Sequence, residues 1–382
     1  MTRRYIYSHT SLRGIAALLV VFYHLQFGAQ FRCTWETATP FFSKGYLWVD
    51  LFFILSGFVI AYSARADEHA PYGWPEIKSF WVARFARIYP LHFVCLLALL
   101  LIKLLFTMLG ALLGKQLISL DQWTMGSWLN FFEQLFLLNA WGLTGRVGWN
   151  IPSWSISAEM FAYFLFPAFA ALLVRGGRAA ILLMLAAALA FYGWIAVTSG
   201  DLDIVKGLAI LRCLAGFSLG MILFLLRERL AHMPDALLGL LQIVGLGLVI
   251  LTFLFGLNDV VAIPGFTLLV AATWTDKGWI AKPLALRPLI WLGEISYSVY
   301  LVHVVLLAPW ASLAPGPLAK LGLSPEAIRA TVIISSLMLV LGVATLTYRF
   351  VEQPARKAIV RRFESRRARP TMSRLHAPDR LT

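Results

Sequence analysis

Four titratable side chains fall inside otherwise apolar runs of the sequence. They are His24, Asp50, Glu159 and His303, and counting along the runs places them at a similar depth. Ionisable residues within membrane-spanning segments are costly and normally face a bundle interior or a water-filled cavity. A histidine beside a carboxylate is suited to general base catalysis, because its pKa lies near neutrality and the carboxylate fixes its tautomer. The pattern predicts one shared cavity, in which His24 with Asp50 or Glu159 beside it is a candidate general base.

A fifth charged residue, Arg212, reaches the same layer and is predicted to be the counter-ion of Asp50 or Glu159. Simpler structural explanations remain open for all these residues. Asp50 and Glu159 fall near the first turn of their helices, where the helix dipole favours a carboxylate. His24 and His303 could serve only as hydrogen-bonding packing residues.

Two arginines precede the third apolar run with a spacing that places them on one helical face. Arg84 and Arg87 are related as i and i+3. The planar guanidinium group is suited to paired hydrogen bonds with phosphate, so a phosphate-rich ligand would fit here. The alternative is that both residues, together with Lys78, are basic anchors at a membrane surface.

The elements that must position these side chains are membrane-spanning helices. Of the 382 residues, 60% are hydrophobic and 14% are charged, and the mean hydropathy is +0.76, which together exclude a water-soluble enzyme. We predict an all-α, polytopic integral membrane helix bundle with about ten transmembrane helices. The predicted spans are residues 11–29, 45–64, 89–113, 156–174, 179–198, 204–226, 236–256, 260–275, 289–313 and 327–348. Residues 128–141 are too short and too polar to cross, and are interpreted as a re-entrant or interfacial segment.

Charge indicates how these spans are oriented. The chain has 33 Lys and Arg against 19 Asp and Glu, a formal net charge of +14. Ten spans with both termini in the cytoplasm place most of the basic residues inside, as the positive-inside rule requires, so nucleic acid is not needed as a partner. A transmembrane domain at residues 1–350 is followed by a basic cytoplasmic tail at 351–382, which is predicted to be disordered. We expect a multi-pass protein of the bacterial inner membrane.

Other sequence features narrow the chemistry. Cys33, Cys95 and Cys213 are few and far apart, so the sequence predicts neither a disulfide framework nor a metal site. GxSxG, Walker-type, HExxH and GxGxxG motifs are absent from the sequence. His24 lies about 20 Å along its helix from the predicted cytoplasmic start of the span, which places it in the outer half of the membrane.

Five motifs around these residues resemble the acyltransferase 3 family of membrane proteins, whose members O-acylate sugars and other acceptors. In chain order they are SLRGIAALLVVFYH (11–24), WVDLFFILSGFVI (48–60), FWVARFARIYPLH (80–92), WSISAEMFAYFLFP (154–167) and GEISYSVYLVH (293–303). The resemblance spans nearly the whole core of the chain. It differs in two respects: no SGNH hydrolase-like domain follows the last span, and Met160 stands where many members have a second Glu or Gln.

The resemblance implies roles for individual residues. His24 matches the catalytic histidine of the family, and the matching donor-binding arginines are Arg13, Arg84 and Arg87. Other matching motif positions are Asp50, Glu159, Ser296, Tyr297 and His303. The implied co-substrate is acyl-CoA, most often acetyl-CoA, with no permanently bound cofactor and no metal.

The function that we predict is a membrane O-acyltransferase. It would move an acetyl group from cytoplasmic acyl-CoA to a hydroxyl of an extracytoplasmic glycan or lipid-linked sugar, with membrane lipids around it. A separate periplasmic acyl-handling protein is a further expected partner. Two other classes remain open: a secondary transporter or flippase for a lipid-linked sugar, with His24, Asp50 and Glu159 as a proton relay, and a non-enzymatic scaffold.

Overall fold

The computed structural model describes residues 4–25, 39–114, 127–145 and 148–368, with side chains to residue 365. Within these ranges the regular structure is entirely helical, which confirms the all-α prediction. The α-helices are α1 (Tyr7–Leu25), α2 (Trp48–Ala64), α3 (Ala66–His69), α4 (Trp74–Leu113), α5 (Trp128–Leu135), α6 (Ser153–Thr198), α7 (Ala209–Ala231), α8 (Asp235–Phe255), α9 (Ala262–Thr273), α10 (Ala281–Leu284), α11 (Arg287–Glu294), α12 (Ser296–Leu313), α13 (Pro315–Lys320), α14 (Pro325–Thr347) and α15 (Gln353–Ala368). Short 3₁₀ turns at Gly45–Leu47 and Asp259–Val261 and a π-helical turn at Tyr348–Glu352 complete the elements.

The chain is a multi-pass membrane protein. Among the described residues, seven helical stretches are long and apolar enough to cross a bilayer. They are Gly45–Ala64, Trp74–Leu113, Ser153–Thr198, Ala209–Ala231, Asp235–Phe255, Ser296–Lys320 and Pro325–Ser365. Large apolar side chains on these helices are exposed, as expected for a surface that faces lipid rather than water.

The difference between seven stretches and the ten predicted spans has identifiable causes. Predicted spans 156–174 and 179–198 both fall within Ser153–Thr198, where the non-helical backbone of Gly177 (φ 52°, ψ −133°) separates two helical parts that count as one stretch. The first helix carries polar residues over its first two turns and is less apolar than a typical span. Helix α9 has only 12 residues. The end of the predicted first span, residues 26–29, lies outside the described residues.

The polar segment before α6, which is interpreted from its sequence as re-entrant or interfacial, contains a short helix. Helix α5 has eight residues, about 12 Å of rise, which is too short to cross a bilayer. Its buried Gln134 accepts a hydrogen bond at the backbone oxygen from His92 Nε2, at 2.8 Å, and the Gln134 side chain accepts one from the Asn150 amide, at 3.0 Å. These bonds attach the segment to α4 and to the start of α6.

Glycines allow two helices to cross closely at the centre of the bundle. A Cβ atom on Gly57 of α2 would collide with the carbonyl oxygen of Phe217 on α7, and one on Gly220 of α7 would collide with that of Ile54. Small residues at membrane helix interfaces let backbones approach in this way. The close approach brings the N-terminal part of α2 next to that of α7, where Asp50 and Arg212 lie.

The first helix packs against the last third of the chain. Gly14 of α1 lies against the backbone of Gly293 on α11, where neither position has room for a Cβ atom. The side chain of Asp276 accepts hydrogen bonds from the backbone amides of Ser8, at 2.8 Å, and Tyr7, at 3.4 Å. Asp276 thereby satisfies two of the amide groups that the first turn of a helix leaves without partners.

The beginning of the C-terminal tail is ordered rather than disordered. Residues 353–368 form α15, which packs against α4, and Glu352 at its start is 1% exposed. The prediction of disorder is therefore wrong for residues 353–368, because the buried Glu352 and contacts with α4 fix the start of the segment. The tail from residue 369 lies outside the described residues, and the predicted domain boundary at residue 350 stays a prediction.

Candidate active site

A cavity of about 140 Å³ lies between α1, α2, α4, α6 and α12. Its charged lining consists of Arg13, Arg84, Arg87 and Glu159, and we call it the arginine cavity. Three guanidinium groups and one carboxylate make this lining cationic. The structure thus brings together the three arginines that the sequence predicts as a donor site.

Each arginine of the arginine cavity contacts a different partner residue. Arg13 Nη2 donates to the carbonyl oxygen of Gly293 at 3.3 Å, and the guanidinium of Arg84 lies over the ring of Phe80, 5.6 Å from its centroid. Arg87 forms an ion pair with Glu352 and lies 5.4 Å from the ring centroid of Tyr297. The helical spacing of Arg84 and Arg87 directs both into the same cavity, as predicted.

The Glu159 carboxylate belongs to a hydroxyl network within the arginine cavity. Tyr163, one turn later on α6, donates its hydroxyl to Glu159 Oε1 at 2.6 Å. The same hydroxyl lies 3.1 Å from Ser56 Oγ of α2. Glu159 therefore faces the arginines, and the structure does not bring it to the cavity that contains His24.

A second, larger cavity of about 450 Å³ contains His24, and we call it the histidine cavity. Its polar and aromatic lining residues are Tyr23, His24, Tyr46, Trp154, Asp203 and Tyr300. Nδ1 of His24 lies 3.0 Å from the carbonyl oxygen of Val20. A neutral imidazole that donates from Nδ1 carries its lone pair on Nε2, which is the state that a general base needs.

A second histidine lies directly beside His24. The rings of His24 and His303 have centroids 4.8 Å apart in an edge-to-face arrangement. His303 is fully buried, its Nδ1 lies 3.3 Å from the carbonyl oxygen of Val299, and its Nε2 has no hydrogen-bond partner among the described residues. One neighbour of the His24 ring among the described residues is thus a second imidazole.

Asp50 is engaged by Arg212, one of the two pairings that the sequence predicts. Arg212 Nη2 lies 2.6 Å from Asp50 Oδ2 and Nε lies 3.0 Å from Oδ1, and both side chains are fully buried. Arg212 also lies over Trp154, 5.2 Å from its ring centroid. Asp50 and Arg212 line neither cavity, but they support Trp154, which lines the histidine cavity.

The prediction that His24, Asp50, Glu159 and His303 share one cavity is therefore wrong. Counting residues along each helix does not give the face on which each side chain lies. Arg13 and His24 are both on α1, about 16 Å apart along its axis, and open into different cavities. Ser296 and Tyr297 line the arginine cavity together with the arginines, as their motif positions suggest.

Several residues of the site were missed by the sequence reasoning. Tyr300 lines both cavities, and Ser155 and Tyr163 line the arginine cavity. Tyr300 falls three residues after Tyr297 and three before His303, a helical spacing that could have placed it on the same face. Glu352 could have been found as a carboxylate at the end of the last apolar run.

Comparison with known proteins shows the family to which the chain belongs. A family model described as an acyltransferase domain matches residues 6–349. The acyltransferase MdmB of Streptomyces mycarofaciens is 28% identical over 389 residues, which cover 93% of this chain and 92% of that protein. The peptidoglycan O-acetyltransferase OatA of Listeria monocytogenes is 23% identical over 401 residues, 93% of this chain. The alignment spans only 56% of OatA. No solved structure matches the chain significantly.

Proposed function

The chain belongs to the acyltransferase family whose model matches residues 6–349, and it is an acyltransferase. We propose that it is a membrane O-acyltransferase. It would transfer an acetyl group from acetyl-CoA to a hydroxyl group of a cell-envelope glycan or lipid-linked sugar. The observation that carries the proposal is the pair of adjoining cavities, one lined by three arginines and the other by His24, with Tyr300 in the wall of both.

The arginine cavity suits the acyl donor. Coenzyme A carries several phosphate groups, and arginine binds phosphate with paired, charge-assisted hydrogen bonds. The cavity volume of about 140 Å³ compares with cavities that hold a benzene-sized group. It accommodates the thioester end of the donor, while the phosphates lie at the arginines toward the cavity mouth.

The histidine cavity suits a sugar acceptor. Tyr23, Tyr46 and Trp154 present aromatic surfaces, and Asp203 supplies a carboxylate that can accept hydrogen bonds from hydroxyl groups. The name of the Listeria relative refers to peptidoglycan, which favours an envelope glycan over a soluble metabolite. A separate periplasmic protein that receives the acetyl group from this chain would carry it to glycan acceptors farther from the membrane.

The reaction that this arrangement supports is direct transfer. Nε2 of His24 accepts the proton of the acceptor hydroxyl while the hydroxyl oxygen attacks the thioester carbon. The new C–O ester bond forms, the C–S bond breaks, and the imidazolium returns the proton to the coenzyme A thiolate. A second route has His24 attack the thioester first and carry the acetyl group covalently. Burst kinetics without acceptor distinguish the second route from the first.

The charge pattern orients the two cavities. With the N-terminus in the cytoplasm of the bacterial inner membrane, α1 passes from Arg13 on the cytosolic side to His24 toward the outer side. Both termini then lie in the cytoplasm. The donor enters from the cytosol, where acetyl-CoA is made, and the acceptor enters from the other face.

Reconstituted protein can test this proposal. Purified protein in liposomes is incubated with acetyl-CoA and peptidoglycan fragments, and acetylated products are identified by mass spectrometry. We expect ester-linked acetyl groups together with free coenzyme A in equal amount, and loss of both in a variant with Arg84→Gln and Arg87→Gln. Movement of a lipid-linked sugar without thioester cleavage would instead support the transporter interpretation.

A further inference from the structure

Tyr300 occupies the boundary between the two cavities. It is 6% exposed and lines both the arginine cavity and the histidine cavity. Along α12, Ser296 and Tyr297 precede it in the arginine cavity, and Val304 follows it one turn later in the histidine cavity. The Tyr300 ring therefore stands where a path from one cavity to the other would pass.

Hydrogen bonds fix the hydroxyl end of this ring. The hydroxyl of Tyr300 lies 2.7 Å from Ser155 Oγ and donates to the carbonyl oxygen of Pro152 at 3.2 Å. Ser155 lines the arginine cavity and Pro152 lines the histidine cavity. The hydroxyl is thus bonded to both sides of the boundary, between the residues that begin α6.

Aromatic packing fixes the ring itself. Its centroid lies 5.7 Å from that of Phe52 and 6.0 Å from that of His303, both in edge-to-face geometry. Phe52 lines the arginine cavity, and His303 packs against His24. A ring held by packing and by hydrogen bonds resists displacement by a group that pushes against it.

We propose that Tyr300 is the size filter of the enzyme, limiting transfer to short, unbranched acyl groups. This inference rests on the proposed acyl transfer between the two cavities. A two-carbon acyl group passes or reacts at the edge of the ring, whereas each added methylene must displace the ring or its partners Phe52 and Ser155. Pockets of this kind discriminate by roughly 10- to 200-fold for one methylene.

Donor chain length provides the test. Acetyl-, butyryl- and hexanoyl-CoA are compared by kcat/KM for wild type, Tyr300→Phe and Tyr300→Ala. In Tyr300→Ala we expect the hexanoyl-to-acetyl ratio to rise by at least about tenfold. Tyr300→Phe keeps the ring and should keep the acetyl preference. Val302→Ala is the matched control, because it shortens a side chain on the same helix α12 that lines neither cavity, and its ratio should equal that of wild type.

Two further measurements keep the outcome decisive. Tyr300→Leu replaces Tyr300→Ala if the smaller side chain prevents folding. Calorimetry with non-reactive thioether analogues of acetyl- and hexanoyl-CoA tests the size limit by binding, without turnover. If wild type binds the analogues but transfers no acyl group, the proposed function is rejected while the size limit is still tested. An unchanged ratio in folded Tyr300→Ala and Tyr300→Leu, or an equal change in Val302→Ala, would overturn the role of Tyr300. Loss of activity toward all three donors in these folded variants would overturn it as well.

Discussion

Asp50 of α2 and Arg212 of α7 form a bidentate ion pair that is completely buried, with N–O distances of 2.6 and 3.0 Å. Arg212 also donates to the backbone oxygen of Tyr46 at 3.1 Å and lies over Trp154. Tyr46 and Trp154 line the histidine cavity. The pair thus joins two central helices and fixes two walls of the cavity, which is a structural role and not an orienting contact with His24.

We predict that Asp50→Asn destabilises the protein by about 3–5 kcal/mol, because it leaves the Arg212 charge buried without its counter-ion. The double variant Asp50→Leu, Arg212→Met should be closer to wild type than either single change, since it removes both charges. Thermal unfolding in detergent compares wild type with Asp50→Asn, Asp50→Leu, Arg212→Met and the double variant. Unaltered stability of Asp50→Asn together with complete loss of transfer would assign Asp50 to the chemistry instead.

His24→Ala should lower acetyl transfer by about 10²–10⁴-fold, the usual contribution of a general base. The melting temperature should change little, because His24 borders an existing cavity. His232→Ala, an exposed histidine after α7, is the matched control and should retain wild-type transfer. Retention of transfer by His24→Ala would exclude His24 as the base.

Arg84→Gln should weaken binding of coenzyme A by about 10- to 100-fold, because a charge-assisted hydrogen bond contributes about 1.5–3 kcal/mol. Arg84→Lys keeps the charge but not the planar fork, so it should fall between Arg84→Gln and wild type. Calorimetric titration with coenzyme A measures the affinity. Arg329→Gln, on the distant helix α14, should bind as wild type does; equal affinities for all four proteins would return Arg84 to the role of a membrane anchor.

Gly57→Ala should destabilise the bundle by about 1–3 kcal/mol, because the new methyl group overpacks the crossing of α2 and α7 against the Phe217 carbonyl. Gly247→Ala on α8 meets no atom within 4 Å. It should leave stability unchanged or raise it by up to about 1 kcal/mol, since alanine is the better helix former. Thermal unfolding compares the two, and equal effects would show that the crossing tolerates a wider separation.

The sequence predicts the helices and part of the site, for a physical reason. Apolar runs mark membrane helices because the bilayer imposes their length and composition. The i, i+3 spacing of Arg84 and Arg87 fixes them on one face of α4 whatever its neighbours. Both features are local, and the structure contains both.

The remaining features depend on how distant helices rotate and pack. The glycine crossing of α2 with α7 places Asp50 against Arg212 and not in the cavity that His24 lines. The ion pair of Arg87 with Glu352 likewise depends on the packing of the C-terminal segment against α4. Neither the rotation of a helix about its axis nor a contact between residues so far apart follows from a hydropathy pattern.

The cap that Asp276 provides for α1 has a consequence for biosynthesis. Helix α1 is made before Asp276, whose side chain accepts hydrogen bonds from the first amide groups of α1 and lies far later in the sequence. A nascent chain that stops at residue 250 already contains His24 and all three arginines of the arginine cavity, but it lacks the Tyr300 wall between the cavities. The first turn of α1 therefore lacks its Asp276 cap until that later part of the chain has been made, although α2, another neighbour of α1 in the bundle, is already present.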